Sequence, residues 1–302
     1  MTKKMRANLM LLLTSMIWGS AFVAQDVAAD VIEPLTFNAI RMALAALAML
    51  PSVWLTGRKA VKAENGMAWK QMNAAGRKTL LLGGLCCGLM LAMGSAFQQL
   101  GISMGTGAGK AGFITALYIV LVPLLGLFWR RRVGAAVWTA VALSVAGLYF
   151  LCVQGGLTIT AADGVLMLCA LCYAGHIMVV DYFSRRTECV KLSCLQFAVT
   201  SVLCAIGAML TEQPTWAAVE ACIFPLLYAG VLSGAVGYTL QTLAQRDAEP
   251  AVASLLMSLE SVFAVLTGWI ILGDALSLRE LLGCVLMMGG IVLAQLPQKQ
   301  KI

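Results

Sequence analysis

Thr79-Leu-Leu-Leu-Gly-Gly-Leu-Cys-Cys-Gly-Leu-Met-Leu-Ala-Met-Gly-Ser-Ala-Phe-Gln-Gln-Leu100 runs for 22 residues without a charge. At about 1.5 Å of rise per residue, such a run makes a helix as long as a bilayer's hydrocarbon core is thick, about 30 Å. It is too long for a core strand and lacks the charged face of a surface helix. Nine further stretches read the same way: Leu9–Ala28, Leu35–Leu55, Ala108–Trp129, Ala135–Val153, Val165–Phe183, Leu192–Leu210, Ile223–Thr242, Ala251–Leu272 and Leu281–Gln295. The chain as a whole has this character. Of its 302 residues 61% are hydrophobic and 12% charged, and the mean hydropathy is +0.88. Soluble domains average about 25% charged residues, so too few charges remain to cover a water-facing surface. A cytosolic enzyme and a nucleic-acid binder are excluded, and an all-α integral membrane protein of ten transmembrane helices is expected. Pro34 and Pro250 stand where a first-turn proline is tolerated, and Trp54, Trp129 and Trp138 where an interfacial aromatic belt belongs.

The charges orient the spans. With the N-terminus taken as cytoplasmic, eighteen of the 21 Lys and Arg fall on the inner side. They are Lys3, Lys4 and Arg6 in the tail, then Arg58, Lys59, Lys62, Lys70, Arg77 and Lys78 between the second and third spans. Arg130–Arg132, Arg185, Arg186, Lys191, Arg246, Lys299 and Lys301 complete the set. Only Arg279 lies in an outer loop, while Arg41 and Lys110 lie within spans. This is the positive-inside pattern. It places both termini in the cytoplasm and the loop Gly156–Ala162 outside, and it explains the formal charge of +7 without a nucleic-acid partner. The basic residues ahead of the first run resemble a secretory signal, but that run is too long and no small-residue cleavage pattern precedes the next span. It is expected to remain as the first helix.

Most of the ten cysteines, among them Cys86, Cys87, Cys152, Cys169, Cys172, Cys204 and Cys284, sit inside apolar runs as small hydrophobes. A single histidine leaves too few nitrogen ligands for a Cys/His metal site, and Cys169-x-x-Cys172 reads as packing. No metal or cofactor is expected. Five spans in each half, an odd number, would insert two homologous halves in opposite orientation. The segments Phe97–Gly126 and Tyr238–Trp269 share a layout: an aromatic near a helix end, a short polar link, then a span of small residues. Trp18-Gly19 and Tyr173-x-Gly175 form a looser match. The competing explanation is that any two helices rich in Leu, Ala and Gly look alike. The division expected is residues 1–156 and 157–302.

Met16-Ile17-Trp18-Gly19-Ser20-Ala21-Phe22, then Glu33-Pro34-Leu35 through Arg41, then Gly109-Lys110-Ala111-Gly112-Phe113-Ile114-Thr115 form an ordered set. Ala253-Ser254-Leu255-Leu256 through Glu260, Gly268-Trp269 to Leu272-Gly273-Asp274, and Glu280-Leu281-Leu282-Gly283 with Gly289-Gly290 complete it. On these residues the chain resembles the drug/metabolite transporter superfamily and, within it, the ten-helix EamA-type transporters, over essentially its full length. The resemblance implies a bundle of two inverted five-helix repeats with a central cavity lined mainly by spans 1, 3, 4, 6, 8 and 9. It leaves the substrate open. One departure is visible: Glu260 is followed by Ser261, where the family commonly has proline.

Charged groups inside a bilayer are costly and usually face a cavity or a partner. Glu260, near the middle of the ninth span, is a candidate for carrying a proton or holding a cation. Lys110 follows a glycine-rich helix start, where ammonium and helix N-terminus together favour a substrate carboxylate. The alternative for Lys110 is a lysine reaching to the outer interface. Arg41 is expected to be structural, since the resemblance puts its span at the periphery, with Asp26, Asp30 or Glu33 as partner. His176 is either a proton-sensitive cavity residue or an interhelical donor. Trp18, Gln25, Tyr118, Tyr173, Tyr238 and Gln241 are uncharged candidates for the cavity wall, and spaced glycines such as Gly84/Gly88 and Gly230/Gly234 for close helix contact.

No paired catalytic groups, metal-ligand cluster, filter-like run or phosphate-binding loop occurs in the sequence. The expected function is therefore secondary transport of a small polar metabolite such as an amino acid. Alternating access across the cytoplasmic membrane, proton coupling or exchange, and export are the preferred details. The alternatives are a channel, a membrane-embedded enzyme, or an uptake carrier for a vitamin-like, nucleotide-like or cationic drug-like solute. The partners are the substrate, the bilayer and protons, with a monomer or a homodimer both compatible.

Overall fold

The computed structural model describes residues 1–62, 73–106, 108–130, 133–153, 159–272 and 277–295. Of the residues singled out above, Lys70, Arg131, Arg132, Gly156, Gly273, Asp274, Lys299 and Lys301 lie outside them. Every regular element among the described residues is a helix. The first three spans are α1 (Lys3–Ala29), α2 (Pro34–Lys62) and α3 (Ala74–Ser103). The fourth is divided into α4 (Ala108–Ala116) and α5 (Tyr118–Phe128), and the fifth is α6 (Ala135–Cys152). Then come α7 (Ala161–Ser184), α8 (Cys189–Thr211) and a short helix α9 (Trp216–Ala221). The eighth span is composite: α10 (Ile223–Leu227), a π-helical segment Tyr228–Tyr238, and α11 (Thr239–Gln245). The ninth is divided into α12 (Pro250–Met257) and α13 (Glu260–Leu272), and the tenth is α14 (Leu278–Gln295). Among the described residues nine helical stretches of at least 18 residues are apolar enough to cross a bilayer, and Ala135–Leu151 is a shorter apolar helix. The protein is a multi-pass membrane protein.

Local chemistry sets the helix ends. Thr2 and Asn73 cap α1 and α3 by accepting from the amides of Met5 and Gly76. Thr160 and Asp163 form a reciprocal capping box on α7, and Glu188 caps α8 through two amides. The first turn of α2 is held from another span: Glu212, just past α8, accepts from the amides of Leu35 and Thr36 and from the Thr36 hydroxyl, each at 2.7 Å. Gly105, at φ 85°, turns the chain out of α3 in the left-handed conformation that glycine adopts without strain.

Polarity is arranged inside out. Leu81, Leu82, Leu85 and Leu89 on α3 are exposed, whereas Ser95, Gln98 and Gln99 of the same helix are buried. In a bilayer the apolar exterior meets acyl chains, and helices are joined by close backbone contact and buried hydrogen bonds. A Cβ on Gly147 would lie 2.7 Å from the carbonyl oxygen of Gly283, and one on Gly283 would lie 2.7 Å from that of Gly147. Helices α6 and α14 therefore touch backbone to backbone. Thr200 reaches across to the carbonyl of Gly88 at 3.0 Å, and Ser201 to that of Ala39 at 2.8 Å.

The packing partners form a reciprocal set. Helix α6 lies along α14 and α2 along α8. Helix α3 packs on α7 and α8, as the π-helical segment packs on α1 and α2. Helix α1 lies on α12 and α13, as α7 lies on α4 and α5. Exchanging each span for the one five later leaves this list unchanged.

Three spans that read as uninterrupted helices are broken. In the fourth, Leu117 and Val120 bond three residues back, to Ile114 and Leu117, and Tyr118 opens α5. In the ninth, Leu259 and Ser261 do the same to Leu256 and Ser258, and Glu260 opens α13. The second break occurs without the proline common in the family, so tightening to i→i+3 bonds suffices. The π-helical stretch of the eighth span is rich in glycine. A Cβ on Gly230 would come within 2.8 Å of the Arg41 carbonyl, so the widened turn lies directly on α2.

Candidate functional site

The fourth and ninth spans meet at their breaks. Tyr118, first residue of α5, donates its hydroxyl to Glu260 Oε1, first residue of α13, at 3.1 Å. Both line a central cavity of about 40 Å³. That is room for a few water molecules.

Aromatic rings and amides make up most of the wall. Trp18 stands on α1 where Gly19 lets that helix approach α13: a Cβ on Gly19 would lie 2.5 Å from the Glu260 carbonyl oxygen. The indole stacks at a tilt on Tyr238, 4.6 Å between centroids, and donates Nε1 to the Ser233 carbonyl at 3.3 Å. Tyr238 also meets the edges of His176, at 5.9 Å, and of Phe197, at 6.2 Å. Tyr173 donates its hydroxyl to Gln98 Oε1 at 3.3 Å. His176 is 1% exposed and shares a 3.0 Å hydrogen bond between Nε2 and Gln196 Oε1 across α7 and α8. Gln241 donates to Gln245 at 2.9 Å, which leaves its own buried Oε1 without a partner.

Arg41 is the residue that sequence reading misplaced. Its span is not turned away from the centre at this depth: the guanidinium lines the cavity and is 2% exposed. Its partners are not Asp26, Asp30 or Glu33. Nε donates to Asn38 Oδ1 at 2.7 Å, Nη1 makes a long 3.5 Å contact with Gln25 Oε1, and Nη2 has no partner. Asn38 is itself fixed by the carbonyls of Pro34 at 2.9 Å and Ser95 at 3.0 Å. The available signal was its spacing from Asn38, three residues earlier and so on the same helix face.

Lys110 lies elsewhere. Its ammonium is 2.7 Å from Asp163 Oδ2, in an ion pair that ties α4 to the capping box of α7. It is absent from the cavity wall, and the placement favours a link between spans over a substrate anchor. The other eight candidates from the sequence, Glu260, His176, Trp18, Tyr118, Tyr173, Tyr238, Gln25 and Gln241, all line the cavity. Arg41, Gln98, Thr115 and Ser233 were missed as wall residues. Thr, Ser and Gln in an apolar helix read equally well as interhelical hydrogen-bonding groups. Among the described residues no group of three or more His, Cys, Asp or Glu is placed to hold a metal ion.

A bundle of apolar helices closed around a small polar cavity, with broken spans supplying its central contact, is the architecture of a membrane carrier. The EamA-like transporter family model matches residues 5–153 and again residues 160–296. The chain belongs to that family. An "Uncharacterized transporter" of Archaeoglobus fulgidus is 28% identical over 295 residues, which cover 97% of this chain and 87% of the relative. The "Uncharacterized transporter YwfM" of Bacillus subtilis is 25% identical over 300 residues, 97% of this chain and 95% of that one. A solved crystal structure superposes with a TM-score of 0.78 over 96% of both chains at 16% identity, a likeness of fold. The protein is a transporter and not an enzyme.

Proposed function

We propose that the protein is a secondary carrier that moves a small polar metabolite by alternating access, with Glu260 as the group that couples transport to protons. The observation carrying this reading is the placement of Glu260. A buried carboxylate, bonded to Tyr118 alone, stands at the junction of two broken helices in a cavity with room only for water. A carrier must rearrange around such a site to admit its solute, and discontinuous helices near mid-membrane typically form the substrate and ion sites of such carriers. The two halves, 1–156 and 157–302, are proposed as inverted repeats that rock against each other. The reciprocal packing list and the twofold family match support that division. Both termini are placed in the cytoplasm by the positive charges, and the membrane proposed is the cytoplasmic membrane. Export is the proposed direction.

The test is flux in proteoliposomes with free L-amino acids as the first probe set. Glu260→Gln keeps volume and hydrogen bonding but removes the titratable proton. It is expected to abolish uphill transport driven by a proton gradient and to leave solute exchange intact. Undiminished gradient-driven uptake by a well-folded Glu260→Gln protein refutes the coupling role.

A further inference from the structure

Two polar atoms of the cavity wall are buried and unused: Arg41 Nη2, a donor carrying positive charge, and Gln241 Oε1, an acceptor. Glu260 lies in the same wall, and no ion pair joins it to Arg41. The arginine is held rather than loose. Asn38 fixes Nε and is itself tied to α3, while the long Nη1 contact with Gln25 is a weak one to surrender. This leaves the outer edge of the guanidinium, Nη1 and Nη2, as a preset fork, and that geometry matches the two oxygens of a carboxylate. A cation buried at 2% exposure with a donor unsatisfied is an expensive arrangement unless something fills it during function.

We propose that Arg41 anchors the carboxylate of the transported molecule, with Gln241 Oε1 receiving its ammonium end, so that the substrate class is a small zwitterionic amino acid. The inference rests on the carrier reading and deepens it. The wall otherwise offers rings, which hold an aliphatic or aromatic side chain by contact or by cation–π attraction. The carboxylate site is thus the cavity centre, and Lys110 is not part of it.

The experiment uses the purified full chain, melted in detergent and reconstituted for counterflow. The probes are L-leucine, L-threonine, L-glutamine and L-phenylalanine, each beside its α-amide, with lactate, glucose and tetraphenylphosphonium as solutes of other charge. The free acids are expected to raise the melting point, as a ligand of the folded state does. They should also bind at least about tenfold tighter than their amides, the scale of one charge-assisted hydrogen bond. Arg41→Gln should erase that preference, and Arg41→Lys should retain part of it. The acid-to-amide ratio of the unmodified protein reads the proposal even if Arg41→Gln fails to fold. Equal binding of acids and amides overturns it, as does a folded Arg41→Gln protein that still prefers acids. If only glucose or tetraphenylphosphonium is carried, the anchor falls and the carrier stands. If no probe shifts the melt and none is carried, both fall.

Discussion

Gly19→Ala adds one methyl group where α1 crosses the start of α13. The new Cβ would lie 2.5 Å from the Glu260 carbonyl oxygen, 2.6 Å from Phe263 Cβ and 2.8 Å from the Ala264 amide nitrogen. Two of these are backbone atoms and the third is a Cβ, so none can rotate away. Ordinary contact begins near 3.4 Å, and α1 therefore has to retreat by about 1 Å. Overpacking of this kind costs about 1–3 kcal/mol. Replacing a mid-helix glycine by alanine returns up to about 1 kcal/mol, which even at the full return leaves a net loss of up to about 2 kcal/mol. Gly112→Ala is the control: its Cβ would meet only Ser261 Oγ, at 4.0 Å. That variant keeps the helical gain and avoids the clash. Thermal melts in detergent should therefore move in opposite directions, down for Gly19→Ala and level or up for Gly112→Ala. The displacement falls beside Trp18 and on Glu260 itself, so counterflow per folded Gly19→Ala protein should drop as well. Shifts of the same sign and size in both variants would refute the reasoning.

Lys110→Met should lower thermal stability by about 1–3 kcal/mol, since it strands a nearly buried carboxylate, while leaving solute selectivity unchanged. Combined with Asp163→Asn it should lose less than the sum of the two single changes, read from a double-mutant cycle of melts. The proposed topology is checked in a background without the ten native cysteines. Ile159→Cys, 91% exposed ahead of α7, should react with a membrane-impermeant thiol reagent in intact cells. Ala74→Cys, exposed at the start of α3, should react only after permeabilisation, and the reverse pattern would overturn the inside-out assignment.

The spans were legible because a bilayer imposes a length and an apolar composition on each helix separately, with no reference to its neighbours. Their proposed orientation rests on loop charge, which is likewise read one loop at a time against the membrane. Polar aromatic and amide side chains away from the ends of otherwise apolar helices also pointed to most of the cavity wall, since a hydrogen-bonding group at that depth is seldom left facing lipid. What failed was anything that depends on azimuth. Arg41 and Lys110 are both single cations about one or two turns inside a span, and the sequence treats them alike. Rotation of α2 against α3, fixed in part by Asn38 reaching the Ser95 carbonyl, turns Arg41 to the centre. The position of Asp163 at the head of α7 holds Lys110 away from it.

The helix breaks divide the same way. Nothing in Leu117-Tyr118 or in Leu259-Glu260 itself forbids a continuous helix; Pro123 follows the first point within α5, and no proline stands close to the second. The hinges exist because the two spans meet there, with Tyr118 and Glu260 bonded across the junction. The π-helical turns of the eighth span follow from packing on α1 and α2, where small residues admit a widened backbone. By itself the sequence determined a ten-span membrane bundle with its basic loops on one side, because hydropathy and loop charge act one segment at a time. Only the tertiary structure decided which buried charge faces the cavity and where the spans break, because those depend on helix rotation and on contacts between residues more than fifty positions apart.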